Sequence, residues 1–234
     1  MQQVLHIFLK EFKDYFVSPI AYIVISIFLL ITGWFFFMTF FIYDQAELRG
    51  FFQLLPFIFS FVIPAVTMRL FSEEMNLGSY ETLLTLPVSA WEVILGKFMA
   101  AVGFIAAMLL PTLSYPVFIS FMGDLDWGPV LGGYIGALYL GGAFSAVGLF
   151  ASSLTRNQII AFIIGMIICF SLTTIDQMLF FFPVKMVDVI SSLGAGDHFE
   201  NIAKGIIDSR DLLYFLSVIF IALFATSLVM EEKK

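Results

Sequence analysis

Residues 72–97 read SEEMNLGSYETLLTLPVSAWEVILGK, a compact polar segment wedged between two long apolar runs. Glu73, Glu74, Glu81 and Glu92 crowd this segment in a chain that carries few charges elsewhere. Gly78-Ser79 and Pro87-Val88-Ser89 punctuate it into short helical pieces. Ser79 and Ser89 are placed as N-caps, and Glu92, three residues after Ser89, completes a capping box. A segment built this way is a stiff docking element rather than a loose loop. Its apolar flanks decide the fold, because they are long enough to lie in lipid.

Composition agrees with that reading. The 234 residues are 61% hydrophobic and only 12% charged, whereas ordinary soluble domains are about half apolar. The mean hydropathy of +1.01 describes an integral membrane protein. Thirty Phe residues suit a lipid-facing surface. A formal charge of −7 with no basic run excludes nucleic acid as a partner, since phosphates need clustered Lys and Arg; acidic surface suits a basic protein partner. Cys169 is alone inside an apolar run, so an intrachain disulfide framework is impossible and the residue reads as a small core side chain. His6, Lys10 and Lys13 mix with Glu11 and Asp14 ahead of a long apolar run without a small-residue cleavage pattern. That run is expected to stay in the membrane rather than to be removed as a signal peptide.

Spanning the hydrocarbon takes about 20 apolar residues as helix. Runs at 20–42, 51–68, 98–123, 129–155, 157–175 and 212–230 approach or exceed this length. They do not alternate apolar with polar as barrel strands do, so the expectation is an all-α membrane protein with six transmembrane helices. Positive residues are retained on the cytoplasmic side. Both termini inside puts Lys10, Lys13, Arg69, Lys97, Arg156, Lys233 and Lys234 in the cytoplasm against Arg49, Lys185, Lys204 and Arg210 outside. The polar segment at 72–97 then faces the cytoplasm. Ahead of the first span, Val4, Leu5, Phe8, Phe12, Tyr15 and Phe16 recur at helical spacing opposite Gln3, His6, Lys10, Lys13 and Asp14, which describes an interfacial helix. An ordinary extension of the first span is the plainer alternative.

In the fourth run, Gly133, Ala137, Gly141 and Ser145 fall four apart, a stripe that lets helix backbones approach closely in lipid. Its partner is either another helix of this chain or a second subunit. Pro56, Pro64, Pro111 and Pro116 each bend or break a run. Between 180 and 211 the connection is too long for a hairpin: Phe180, Phe181, Phe182, Val184, Met186, Val187, Val189 and Ile190 suggest short external helices dipping into the outer leaflet, Gly194-Ala195-Gly196 a break and Asp197 to Asp211 a polar stretch, with a plain amphipathic linker as the alternative. Asp176 adjoins the fifth run without a nearby base. Counting about 1.5 Å per residue from Asn157 puts it near the outer interface, where a carboxylate is readily solvated; a proton or cation role is the functional alternative.

Catalytic machinery is missing. A phosphate-cradling loop needs Gly, then Lys and a hydroxyl, but around Gly96-Lys97 Trp91 stands in place of the first Gly and Phe98 in place of Ser or Thr. His6 and His198 both fall outside the spans, which removes intramembrane serine proteolysis, and no zinc pattern exists. No catalytic or metal-ligating residue is assigned.

Phe71-Ser72-Glu73-Glu74, the run from Gly78 to Thr85, Pro87-Val88-Ser89, Glu92 and Gly96-Lys97 together resemble the ABC type-2 permease family. Within it, the chain looks most like the gliding-motility permease (GldF) branch. The likeness covers 1–234 as one transmembrane domain. It implies an interfacial helix (1–19), spans one and two (20–70), a cytoplasmic coupling segment (71–97), spans three to five (98–182), an external helical connection (183–211) and span six (212–230). It further implies a multi-pass subunit of the bacterial inner membrane, with both termini cytoplasmic, serving an exporter. Two copies of a separate ATPase, which binds the ATP and Mg, would drive it; this chain would hold no cofactor. Carried over residue by residue, Glu73, Glu74, Gly78, Ser79, Glu81 and Leu84 would make the ATPase contact. A second permease copy or paralogue and a GldG-like auxiliary protein with an external domain would complete the assembly. The rival readings are an ion-coupled carrier running without ATP and a non-transporting scaffold that transmits force.

Overall fold

The computed structural model describes residues 2–43, 47–78, 89–181, 192–206 and 208–233. Among them every regular element is helical: α1 (Gln2–Val17), α2 (Pro19–Tyr43), α3 (Arg49–Thr67), α4 (Arg69–Leu77), α5 (Ala90–Leu109), α6 (Ser114–Ser120), α7 (Trp127–Leu154), α8 (Gln158–Thr174), α9 (Ala195–Ala203) and α10 (Ser209–Glu232). Short 3-10 turns cover Leu110–Leu113 and Asp176–Phe181. Pro111 lies in the first of these, where α5 ends, whereas α3 runs unbroken through Pro56 and Pro64 and stops one turn after the latter.

Among the described residues, five stretches are long and apolar enough to cross a membrane: Pro19–Met38, Arg49–Leu77, Ala90–Ser120, Trp127–Leu154 and Ser209–Glu232. The sixth expected span, 157–175, is present as α8, but its 17 residues rise only about 25 Å against a hydrocarbon core of about 30 Å. Length therefore shows five spans and leaves α8 short of a sixth.

α7 is the hub. Within its apolar window 78% of residues are buried, against 22% for α2 and 28% for α10, which ride on the periphery. Small residues make the hub possible, because without hydrophobic drive in lipid, close backbone approach supplies the dispersion contacts. A Cβ at Gly133 would meet the Phe52 ring of α3 at 2.4 Å, and one at Gly141 would meet Ile105 of α5 at 3.0 Å. Ala137 and Ser145 are fully buried beside them. The stripe at 133, 137, 141 and 145 thus packs within this chain, and of its two possible partners the structure shows the intramolecular one.

α1 forms where its periodicity predicts, yet its apolar face rests on protein. Ile7 packs over Gly96 and Phe12 over Gly103 of α5, and Tyr15 stacks at 5.0 Å from Phe104. Leu5, Leu9 and Val17 remain outward for lipid. α1 is a strut alongside α5.

The cap expected at Ser89 is present in full: the Glu92 amide donates to Ser89 Oγ at 3.3 Å, and the Ser89 amide donates to Glu92 Oε2 at 3.0 Å. The Ser89 amide, followed by the hydroxyl, holds the Glu92 carboxyl below its ordinary value. A depressed carboxyl contributes stability above its unfolded titration range and loses it as pH falls through the folded value. Ser89→Ala is expected to cost about 1 kcal/mol, read as roughly fivefold faster amide exchange at 90–94. Acidifying the wild type through the Glu92 titration should loosen the same turn.

Candidate functional site

One end of the bundle gathers α1, α4, the start of α5 and the C-terminal ends of α7 and α10. Its centre is Lys97. The ammonium is 1% exposed and lies 2.7 Å from Glu74 Oε1 of α4 and 3.0 Å from Glu11 Oε1 of α1. The Phe71 ring covers it at 5.4 Å. A buried ammonium must be paired, and two carboxylates from two other helices supply the pairing. One side chain therefore ties together the helix before the polar segment, the helix after it and the N-terminal strut.

Neighbouring contacts extend the clamp. The Arg69 guanidinium lies 4.9 Å over the Tyr15 ring. At the chain's other end, Lys233 Nζ donates to the Ser153 carbonyl at 2.6 Å, satisfying the C-terminus of α7, and reaches Met75 of α4. Lys97, Arg69 and Lys233, which the charge count assigned to one side, do share one end of the bundle.

Of the six residues expected to dock an ATPase, Glu73, Glu74 and Gly78 are described, whereas Ser79, Glu81 and Leu84 lie outside the described residues. Gly78 ends α4 in the left-handed conformation at φ 71°, the usual glycine stop for a helix. Glu73 lines a cavity of about 300 Å³ with Lys10, Asp14 and Arg69. Glu74 turns inward to Lys97. From sequence Lys97 counted as a cytoplasmic-side charge, as the tail of a failed phosphate loop and as part of the family motif, not as a buried clamp. A single base opening an apolar run behind four acids was the available signal.

The opposite end holds α9 and the starts of α3, α7 and α10. The positions at 182–190, where short helices were expected, lie outside the described residues, and Gly194-Ala195-Gly196, expected as a break, instead opens α9, which takes up part of the stretch expected to be a polar connection. Asp176 caps α9. The Asp197 amide donates to Asp176 Oδ2 at 3.2 Å, replacing the side-chain cap that Gly194 cannot give. Burial pushes the Asp176 carboxyl up, and the amides of Asp197 and Gly196 oppose that rise. Asp176 is thus neither merely solvated nor isolated. It also borders a cavity of about 450 Å³ between α3, α8 and α9, with Arg49, Gln53, Asp197 and Lys204 on its wall. Glu200 joins Arg49 at 3.6 Å and Lys204 at 3.0 Å. His198 stacks on Tyr214 at 4.2 Å and meets Asp211 through Nδ1 at 2.5 Å. No group of three or more metal-ligating side chains occurs among the described residues.

The described residues form a helical bundle with several stretches long and apolar enough to cross a membrane, as in a multi-pass membrane protein. Residues 5–191 match the ABC-2 family transporter protein family, and the chain belongs to that family. The family's members are the transmembrane subunits of ATP-binding-cassette transporters, not the ATPases. No curated protein matches the chain.

Proposed function

We propose that this chain is the permease of a bacterial inner-membrane exporter, driven through residues 72–97 by two copies of a cytoplasmic ATPase. The carrying observation is the Glu11–Lys97–Glu74 triad in an ABC-2 family member: it anchors both flanks of the polar segment to the bundle. A push on that segment reaches α4 and α5 together. Both termini are cytoplasmic, and α8 serves as the fifth of six spans, completed by the turn at Asp176–Phe181. The GldF branch is the specific assignment, with a second permease copy or paralogue and a GldG-like external partner.

Nucleotide-driven closure of the ATPase pair shifts the two polar segments, and the spans carry that displacement to the path between permease copies. Such coupling requires that the ATPase bind two permease states unequally. An ion-coupled carrier would need charged groups at mid-depth. Of the buried charged residues among those described, Asp211 lies in the first turn of α10 and Lys97 two turns into α5, and the other buried polar residues are Ser and Thr. That distribution favours an external energy source.

Glu81→Lys tests the reading. The ATPase subunit is expected to co-purify with the wild-type chain in mild detergent and to be lost, at least tenfold, from the variant, with membrane insertion unchanged. Equal recovery from both chains refutes Glu81 as a contact. Recovery of wild type without any ATPase moves the assignment to the carrier or scaffold.

A further inference from the structure

We infer that Ser152, on the hub helix α7, is the pin that makes the second span and α4 move as one body. This inference rests on the permease reading for its functional consequence and on geometry for its structural content.

The second span meets α4 at a joint of one residue. α3 stops at Thr67 and α4 begins at Arg69 within one apolar stretch, Arg49–Leu77; Met68 between them keeps helical φ and ψ of −53° and −31°, donates its amide to the Pro64 carbonyl at 2.9 Å and offers no side-chain cap to the first turn of α4. A helix start leaves amides that need acceptors, and in a buried place they must be met by protein. Ser152 meets them from 80 residues away. Its Oγ accepts from the Phe71 and Ser72 amides, each at 3.0 Å, and donates to the Met68 carbonyl at 2.7 Å. Ser72 Oγ also donates to that carbonyl. One hydroxyl therefore ties the joint residue Met68 and the first turn of α4 to α7.

The turn before Ser152 fixes α3. A Cβ at Gly148 would stand 2.0 Å from Thr67 Oγ1, so the end of the second span lies directly on α7. Gly148 and Ser152 are one helical turn apart on one face. α3 sits on the first and α4 hangs from the second. Pro64, which has no amide to donate, places a weak point in α3 one turn ahead of the joint. With Ser152 in place, a displacement delivered to α4 must carry the Thr67 end of α3 with it. Without it, α4 swings about Met68 while α3 stays.

Ser153 gives the control. It is as fully buried as Ser152, but its hydroxyl bonds only the Phe150 carbonyl of its own helix. In lipid nanodiscs, amide exchange of the full chain at 68–77 is expected to rise at least tenfold in Ser152→Ala. Residues 49–67 should stay unchanged, Ser153→Ala should match wild type, and Ser152→Thr should restore most of the protection. If Ser152→Ala does not fold, Ser72→Ala, which removes only the second hydroxyl on the Met68 carbonyl, should raise exchange at 68–77 severalfold. Wild-type exchange in Ser152→Ala, equal loosening in Ser153→Ala, or no rescue by Thr overturns the inference; so does an unchanged Ser72→Ala where that variant must decide.

In the complex with the co-purified ATPase, ATP and vanadate should alter exchange in both α3 and α4 of wild type, but only in α4 of Ser152→Ala. A nucleotide response persisting in α3 of the variant refutes the pin's role in coupling. Failure to recover an ATPase speaks against the permease reading alone, because the nanodisc measurement on the chain by itself still decides the joint.

Discussion

Lys97→Met is expected to lower the stability of the chain by about 3–5 kcal/mol, seen as a fall of about 10 °C in its unfolding midpoint in nanodiscs. Methionine fills nearly the same space, so packing is not the cause. The change leaves the Glu11 and Glu74 carboxylates, whose side chains are only 12% and 17% exposed, facing each other without the ammonium that joined them. The physics also predicts its own reversal. Ion pairs of this kind add little net stability over a neutral arrangement of the same shape, because desolvation cancels most of the attraction. Adding Glu11→Gln and Glu74→Gln to Lys97→Met should therefore recover most of the loss. Glu74→Gln alone should cost less than Lys97→Met, since Glu11 still neutralises the ammonium. A triple variant as unstable as the single one would mean that Lys97 acts through packing.

The neutral triple variant separates stability from coupling. It keeps the volume that holds α1, α4 and α5 together but removes the directional charge linking them. If the triad transmits the ATPase stroke, this variant folds, binds the ATPase and still responds weakly to nucleotide. A wild-type response assigns the triad to stability alone.

Local rules made much of this readable before any coordinates. Ser89 and Glu92 lie three residues apart, so their capping box follows from chain geometry, and so do the apolar runs that become α2, α5, α7 and α10. The small residues of α7 announced close packing for the same reason. What they packed against was not legible, because Gly133 meets Phe52 and Gly141 meets Ile105 through tertiary register. The same limit hid the clamp. Lys97 and Glu11 are 86 residues apart, and nothing local distinguishes a lysine that will be buried between two helices from one that faces solvent. Asp176 shows the third case: its role as a cap depends on a helix 21 residues further along the chain.

Gly132→Leu is expected to detach α9 from the hub while leaving the clamped end intact. A Cβ at Gly132 would lie 2.3 Å from the Ile202 carbonyl and 3.1 Å from Gly205 Cα. Both are backbone atoms, so no side-chain rotation relieves the clash, and α9 itself must move. Gly205 supplies the matching surface: its φ of +84° turns the chain, and a Cβ added to it would lie 3.2 Å from the Gly128 backbone carbon. Leucine at 132 forces apart this glycine-on-backbone contact and exposes Phe199 and Ile202, now 1% and 0% accessible. Overpacking of this kind costs about 1–3 kcal/mol, and a large side chain against backbone belongs at the upper end. That corresponds to about 100-fold faster amide exchange across 195–206, with exchange in α4 and α5 unchanged. Gly132→Ala should fall between, because its gain in helix propensity, about 1 kcal/mol, offsets part of the clash. Since α9 walls the cavity of about 450 Å³ beside Asp176 and holds Glu200 against Arg49, the variant opens that end without touching the clamped one. Loosening of both ends together would refute the separation of the two.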